Sequence, residues 1–289
     1  MYRSVGVSKQ AFHQHLRRRR SHQEEVLNLR EIIRQIREDH PTMCCRDMYF
    51  KINPVFMGRD RFEGLCREYG FVVDRKRSAR RTTDSTGVVR FDNLLQDKKL
   101  TGINQAWCSD ITYFEIDNTY YYITFILDCY SRRILGHHVS SRLFTEQTSL
   151  PALKQAIQTR GQELPTGIIF HSDGGGQYYD QEFLSLTKQH GFRNSMCEFA
   201  YENGKAERIN GVIKNNYLKH RSIQDLGQLI QEVDRAVHLY NTDKPHSSLQ
   251  RQTPTSFEAR YRKLVLAQPI AEVREGGTEV LKRSTLFRH

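Results

Sequence analysis

Apolar positions recur every three to four residues over the first seventy residues, then switch to a two-residue alternation from about residue 107. Residues 8–20, SKQAFHQHLRRRR, read as a short helix with Ser8 as N-cap and four arginines at its end. Over residues 22–38, Val26, Leu29, Ile32, Ile33 and Ile36 fall at helical spacing, giving an amphipathic helix closed by His40-Pro41. Two further short helices are expected at 44–52 and at 58–69, the latter stopped by Gly70. Three short helices, the last carrying Arg59, Arg61 and Arg67, suggest a helix-turn-helix unit.

The stretch DRKRSARRTTDSTG is basic and turn-rich and reads as the start of a linker over 74–104. WCSDITYFEI, TYYYITFILDCYS and RRILGHHVSS then read as three consecutive strands, with turns at Asp117-Asn118 and Ser131-Arg132. A helix over 145–160, the strand GIIFHSD, a helix over 180–190 and the strand FRNSM follow. Strands succeeded by alternating helices and strands make a mixed α/β domain. The expected division is a helical region 1–73, the linker, a core over 105–222 and a helical extension with tail over 223–289.

Charge changes this picture. The formal charge is +11, yet residues 1–100 hold 22 Lys and Arg against 13 Asp and Glu, and the rest 22 against 20. A basic front end on a balanced body fits one part that grips a phosphate backbone, with Arg17, Arg18, Arg19 and Arg20 as its densest cluster. The six cysteines, at 44, 45, 66, 108, 129 and 197, form no CxxC pair and read as reduced thiols. His40 beside Cys44 and Cys45 has no second ligand pair at zinc-finger spacing. No apolar run approaches membrane-spanning length, and no apolar stretch follows the basic start, so a cytoplasmic location is expected.

Three acids stand out. Asp110 lies inside a strand that otherwise reads as buried, which is costly unless the carboxylate is paired or binds a cation. Asp173 closes GIIFHSD ahead of three glycines, at a strand end of the kind where ligands bind, although Asp-Gly is also an ordinary turn. The third is Glu207. At about 100° per residue from it, Lys214 falls at about −20°, Asn210 at about −60° and Gly211 at about +40°. Val212, Ile209 and Ile213 fall on the opposite side, so Glu207 centres a polar face, with Asn203 as the expected N-cap. Glu198 and Glu202 precede that cap and read as solvated. Carboxylates from three separate elements suit divalent cations, and magnesium takes few carboxylates plus substrate phosphates. Two such ions about 4 Å apart serve in-line displacement at phosphorus.

WCSDITYF, HSDGGGQY and AERINGVIK resemble the DDE transposase/integrase core of the retroviral integrase superfamily, which has a ribonuclease-H-like fold. The best likeness is to the second-frame transposases of insertion-sequence family three. YNTDKPHSSL with Thr253-Pro254 resembles their C-terminal signature, and HPTMCCRDMYFKI their upstream helix-turn-helix. The resemblance covers most of residues 1–260. It implies Asp110, Asp173 and Glu207 as the metal-binding triad, two Mg²⁺ ions (or Mn²⁺), and Lys214 at the position that contacts DNA; Asn210, on the same polar face by its phase, is read as DNA-facing too. It also implies double-stranded DNA as partner (terminal repeats and target), a homo-oligomer on DNA, a nucleoid location, and work with or fused to a first-frame helix-turn-helix product. Two departures stand. Asp173 and Glu207 are 34 positions apart, two short of the usual offset, and Cys44-Cys45 replace a usual glycine. The expected activity is cutting of element ends and joining of 3′-hydroxyls to another phosphodiester. The alternatives are a nuclease of the same fold and a catalytically dead DNA-binding remnant.

Overall fold

The computed structural model describes residues 8–73, 91–197 and 203–267. The chain divides into two compact units, Met1–Lys76 and Arg77–His289.

In the first unit, α1 spans Lys9–Asp39, α2 Cys45–Ile52 and α3 Arg59–Glu68. The two helices expected over 8–20 and 22–38 are one continuous helix. No Gly or Pro lies between Lys9 and Asp39, and the arginine run is made of good helix formers. Ser8 caps it, its hydroxyl accepting from the Ala11 N–H at 3.1 Å. Leu29, Ile33 and Ile36 of α1 meet Met48 of α2 and Phe62, Leu65 and Cys66 of α3 in one small core. Ile32 falls at the edge of that seam and is exposed. The Arg37 guanidinium ties the unit together, donating to the carbonyls of Pro41 (3.1 Å), Met43 (2.6 Å) and Phe71 (2.5 Å).

The second unit is built on β1 (Ala106–Ile116), β2 (Thr119–Asp128), β3 (Ile134–Ser140), β4 (Ile169–Ser172) and β5 (Arg193–Met196). Strand order is β3-β2-β1-β4-β5. β2 runs antiparallel to both β1 and β3, while β4 and β5 are parallel to β1. This is the ribonuclease-H-like order. Asp117 and Asn118 turn the first hairpin with φ of 46° and 63°, the left-handed pair that a two-residue loop between twisted strands demands.

Helices α4 (Ser149–Arg160) and α5 (Gln181–Gln189) cover one face, and α6 (Gly204–Asn216) and α7 (Leu226–Thr242) the other. Alternation along β1 explains the split: Trp107 packs with α4 and α5, whereas Ala106 and Cys108 pack with α6 and α7. Gly136 of β3 lets α4 lie close, since a Cβ there would collide with the Ala152 carbonyl. Residues 74–90 of the expected linker lie outside the described residues; within 91–104, Leu94, Leu95 and Leu100 pack onto the core. From the expected extension, α7 contributes Leu229, Val233, Ala236, Val237 and Tyr240 to that core, and α8 (Pro254–Leu266) follows it. Among the described residues no helix is long and apolar enough to cross a membrane.

Candidate active site

Pairing between β1 and β4 runs from Ala106 opposite Ile169 to Cys108 opposite His171. Beyond Cys108, this edge of β1 has no strand partner among the described residues. Asp110 lies two positions into that bare edge, and Asp173 directly follows the end of β4. Both acids therefore sit where two parallel strands part, beyond their shared ladder.

Side chains of α6 and its entry serve the bare edge. Asn203 Nδ2 donates to the Ser109 carbonyl at 2.9 Å, and Asn210 Nδ2 donates to Asp110 Oδ2 at 2.7 Å. Lys214 Nζ donates to Thr112 Oγ1 (3.2 Å) and to the Tyr113 carbonyl (3.0 Å), lying 4.6 Å from the Tyr113 ring centroid. Three anchors thus fix the height and rotation of α6 against β1. Glu207 lies between the first two, in the first turn, where the helix dipole favours a carboxylate. Asn203 does sit at the N-cap position, yet its side chain reaches the strand instead of capping.

The electrostatics follow from this placement. Burial, then the charge of Asp173, and more weakly that of Glu207, push the Asp110 carboxyl up to about 7, against the Ile111 N–H and Asn210 bonds that favour its ionised form. Asp173 is also raised by burial, opposed by the Gly175 N–H, which reaches its Oδ1 at 3.2 Å. The Asp173 carboxylate thus shapes the glycine turn that the Asp-Gly pattern announced. Burial, then Lys219, lower the Lys214 ammonium, with Asp110 acting the other way.

Asp110 and Asp173 are half-buried and Glu207 is exposed. Asp110 lies within electrostatic reach of both Asp173 and Glu207, but among the described residues no three His, Cys, Asp or Glu side chains converge into a closed metal cage. Asn210, expected on the DNA-facing side, is 6% exposed and turned onto Asp110. Its phase of about −60° puts it at the border between polar front and apolar back, which is where α6 meets β1. Glu198 and Glu202 lie outside the described residues. In the first unit, Arg17–Arg20 are exposed, Arg59 is held by Asp60 at 2.8 Å, and Arg61 Nη2 lies 2.9 Å from His22 Nε2.

Sequence reasoning missed the partners supplied by β1 and a buried ionic knot on the same unit. Glu258 of α8 takes both arms of the Arg160 guanidinium at 2.7 Å, with Arg133 at 2.8 Å and the Ser131 hydroxyl at 2.6 Å. Nothing in the local pattern around Glu258 marks it as buried. Asn241, within the YNTDKPHSSL stretch, clamps β3 by bonding both the N–H and the carbonyl of Ile134 at 2.9 Å.

Two family models described as integrase core domain match residues 101–201 and 195–254. The insertion element IS600 uncharacterized 31 kDa protein of Shigella sonnei is 30% identical over 274 residues, covering 91% of this chain and 99% of that one. Transposase InsF for insertion sequence IS3A of Escherichia coli is 32% identical over 176 residues, 58% of each chain, so the likeness spans little more than half of that relative. Among solved structures, the HTLV-2 integrase catalytic core domain in complex with magnesium is 20% identical with a TM-score of 0.44, over 54% of this chain and 96% of that one. Sheet order and family matches together define an integrase-core protein. Within that class, the chain belongs to the transposases of the IS3 insertion-sequence family.

Proposed function

We propose that the chain cuts the ends of an insertion element and joins the freed 3′-hydroxyls to target phosphodiesters, with Asp110, Asp173 and Glu207 as the catalytic carboxylates. The observation that carries this is the crowding of acids at the parting of β1 and β4. Burial, Asp173 and Glu207 all disfavour ionised Asp110, and the two bonds it accepts leave that disfavour standing. Such a cluster fits hard divalent cations, for which carboxylate oxygens are the natural donors. Asp110, Asp173 and Glu207 are the residues that would hold two Mg²⁺ ions, Mn²⁺ substituting. Bound there, the metals would supply Lewis-acid activation of the attacking oxygen and charge relief for the leaving one.

The protein's own groups do the rest. Asn210 holds one oxygen of Asp110, which fixes the carboxylate plane. Asn203 and Lys214 keep α6 in register so that Glu207, whose side chain is exposed, can turn toward the two aspartates. Lys214 has a donor left over and sits at the rim beside Tyr113, placed to meet a phosphate near the reacting end. Duplex DNA, as terminal repeats and as target, is the partner, with Arg59 and Arg61 offering further phosphate contacts from the helix-turn-helix unit. Joining two ends calls for at least two copies on DNA, and a first-frame product or fusion would add a second reading head.

The reading is tested by incubating the protein with candidate terminal repeats and Mg²⁺. Strand-transfer products from a pre-cut end support it; hydrolysis without joining would identify a nuclease instead. A second expectation concerns Lys214. An ammonium cannot ligate a cation, so Lys214→Ala should weaken end binding by roughly tenfold, the scale of a lost charge-assisted hydrogen bond. Metal affinity should stay near normal. Calorimetry that finds metal binding lost and DNA binding intact would contradict this.

A further inference from the structure

The first half of α1 buries nothing. Every residue from Ser8 to Ser21 is exposed, and the first buried side chain of the helix is Leu29. Residues 9–21 therefore form an arm of about 20 Å, at 1.5 Å per residue, beyond the small core of the first unit. From Ser8 to Gln23 there are five Lys and Arg and no Asp or Glu, the first acid being Glu24. Arg17–Arg20 make no ion pair among the described residues.

Such an arm gains nothing from packing: it is held helical by the Ser8 cap, by helix-forming residues and by continuity with the packed half of α1. The guanidiniums of Arg17 and Arg20, three residues apart on it, repel. A polyanionic partner complements this charge, and the placement of the arginines bears on what shape that partner has. Four consecutive residues point about 100° apart, so Arg17–Arg20 encircle the helix instead of forming one stripe. A flat acidic surface, a single strand or a lipid face would meet only half of that circle. The major groove of B-form DNA is about 12 Å wide, admits a helix, and has phosphates along both walls.

We propose that residues 9–21 are a basic helical arm that enters the major groove of duplex DNA, its four arginines reaching phosphates on both sides. The inference rests on DNA being the partner, as argued above, and extends that reading to a groove and an orientation. It also distinguishes the arm from the phosphate contacts offered by Arg59 and Arg61, which lie on α3 beside Asp60 and His22.

The test uses the full chain carrying Glu207→Gln, so that DNA is not consumed, with a random-sequence DNA duplex and the RNA duplex of the same sequence. Each of Arg17→Gln, Arg18→Gln, Arg19→Gln and Arg20→Gln should flatten log K against log salt on DNA by about 0.9, and the quadruple variant by about 3.6. On the RNA duplex, whose major groove is too deep and narrow for side chains, the quadruple change should cost less than half as much slope. Because the arm buries nothing, the thermal unfolding of all these variants should match that of the parent. Equal losses on DNA and RNA, or two of the four arginines carrying the whole effect, would overturn the groove reading in favour of flat electrostatic contact. Should Glu207→Gln still cut DNA, the active-site reading falls and the arm is judged on its own salt slopes.

Discussion

Glu207→Gln should abolish both cleavage and joining, by more than the roughly hundredfold that loss of a metal's outer-shell partner costs, while DNA binding is retained. Glutamine keeps the size and hydrogen-bonding of the side chain and removes the charge that a divalent ion needs. The side chain is exposed, so the fold has no stake in it. Asp110→Asn and Asp173→Asn should be equally inactive. Asp110→Asn should in addition raise the melting temperature of the metal-free protein. The sign follows from the direction of the shift: a carboxyl raised from 3.8 to about 7 by burial and by Asp173 costs stability once ionised. That cost is absent below the unfolded value, grows between the two values and is complete above about 7. The stability gain of the variant should therefore vanish in acid. Loss of activity together with a gain in stability is the signature of a site strained for function. Glu198→Gln and Glu202→Gln should keep most activity. If Glu202→Gln is dead and Glu207→Gln active, the shortened spacing after Asp173 has moved the third ligand.

Glu258→Ala should destabilise the second unit by about 3–5 kcal/mol, the cost of breaking a buried ion pair by removing one partner. The Arg160 side chain is fully buried and would keep only Asp128, at 3.4 Å, as a counter-charge. Burial alone would raise the Glu258 carboxyl, but the Arg160 bonds and charge, with Ser131 and Arg133, hold it down to about 2. Its contribution is thus present above the ordinary carboxylate value of 4.5 and is lost as pH falls through about 2. Acid unfolding of the second unit should move to higher pH in Glu258→Gln. Denaturant melts of parent and variant at neutral pH and in acid check both statements; a shift under about 1 kcal/mol at neutral pH would show that the knot is not what holds α8. Phosphate binding by the first unit should be unaffected, since none of these residues belongs to it.

The strands and helices of the second unit were legible because each carries its period in a short window. Asp117-Asn118 announced its turn, and the polar front of α6 around Glu207 was visible from phase alone. The break expected near Ser21 was not there. The local pattern weakens where the arm leaves the core, and a weakening of apolar period is easily taken for an end when the residues are still good helix formers. Asn210 was expected on the polar, DNA-facing front of α6 and is buried against Asp110, because phase tells which way a side chain points and not what stands opposite.

By itself, then, the sequence determined the element types, the three acids with their order and spacing, and the basic character of the front end. These properties are set within a few residues of one another. The tertiary structure decided which partners those residues meet. Asn203, Asn210 and Lys214 serve β1 groups 94 to 102 residues away, and Arg160 and Glu258 pair across 98. Such contacts arise only when the sheet closes in the order β3-β2-β1-β4-β5 and leaves the edge of β1 bare beyond Cys108. Periodicity carries information about one face of one element; the meeting of two faces is fixed by packing of the whole chain, where most buried polar groups find a partner.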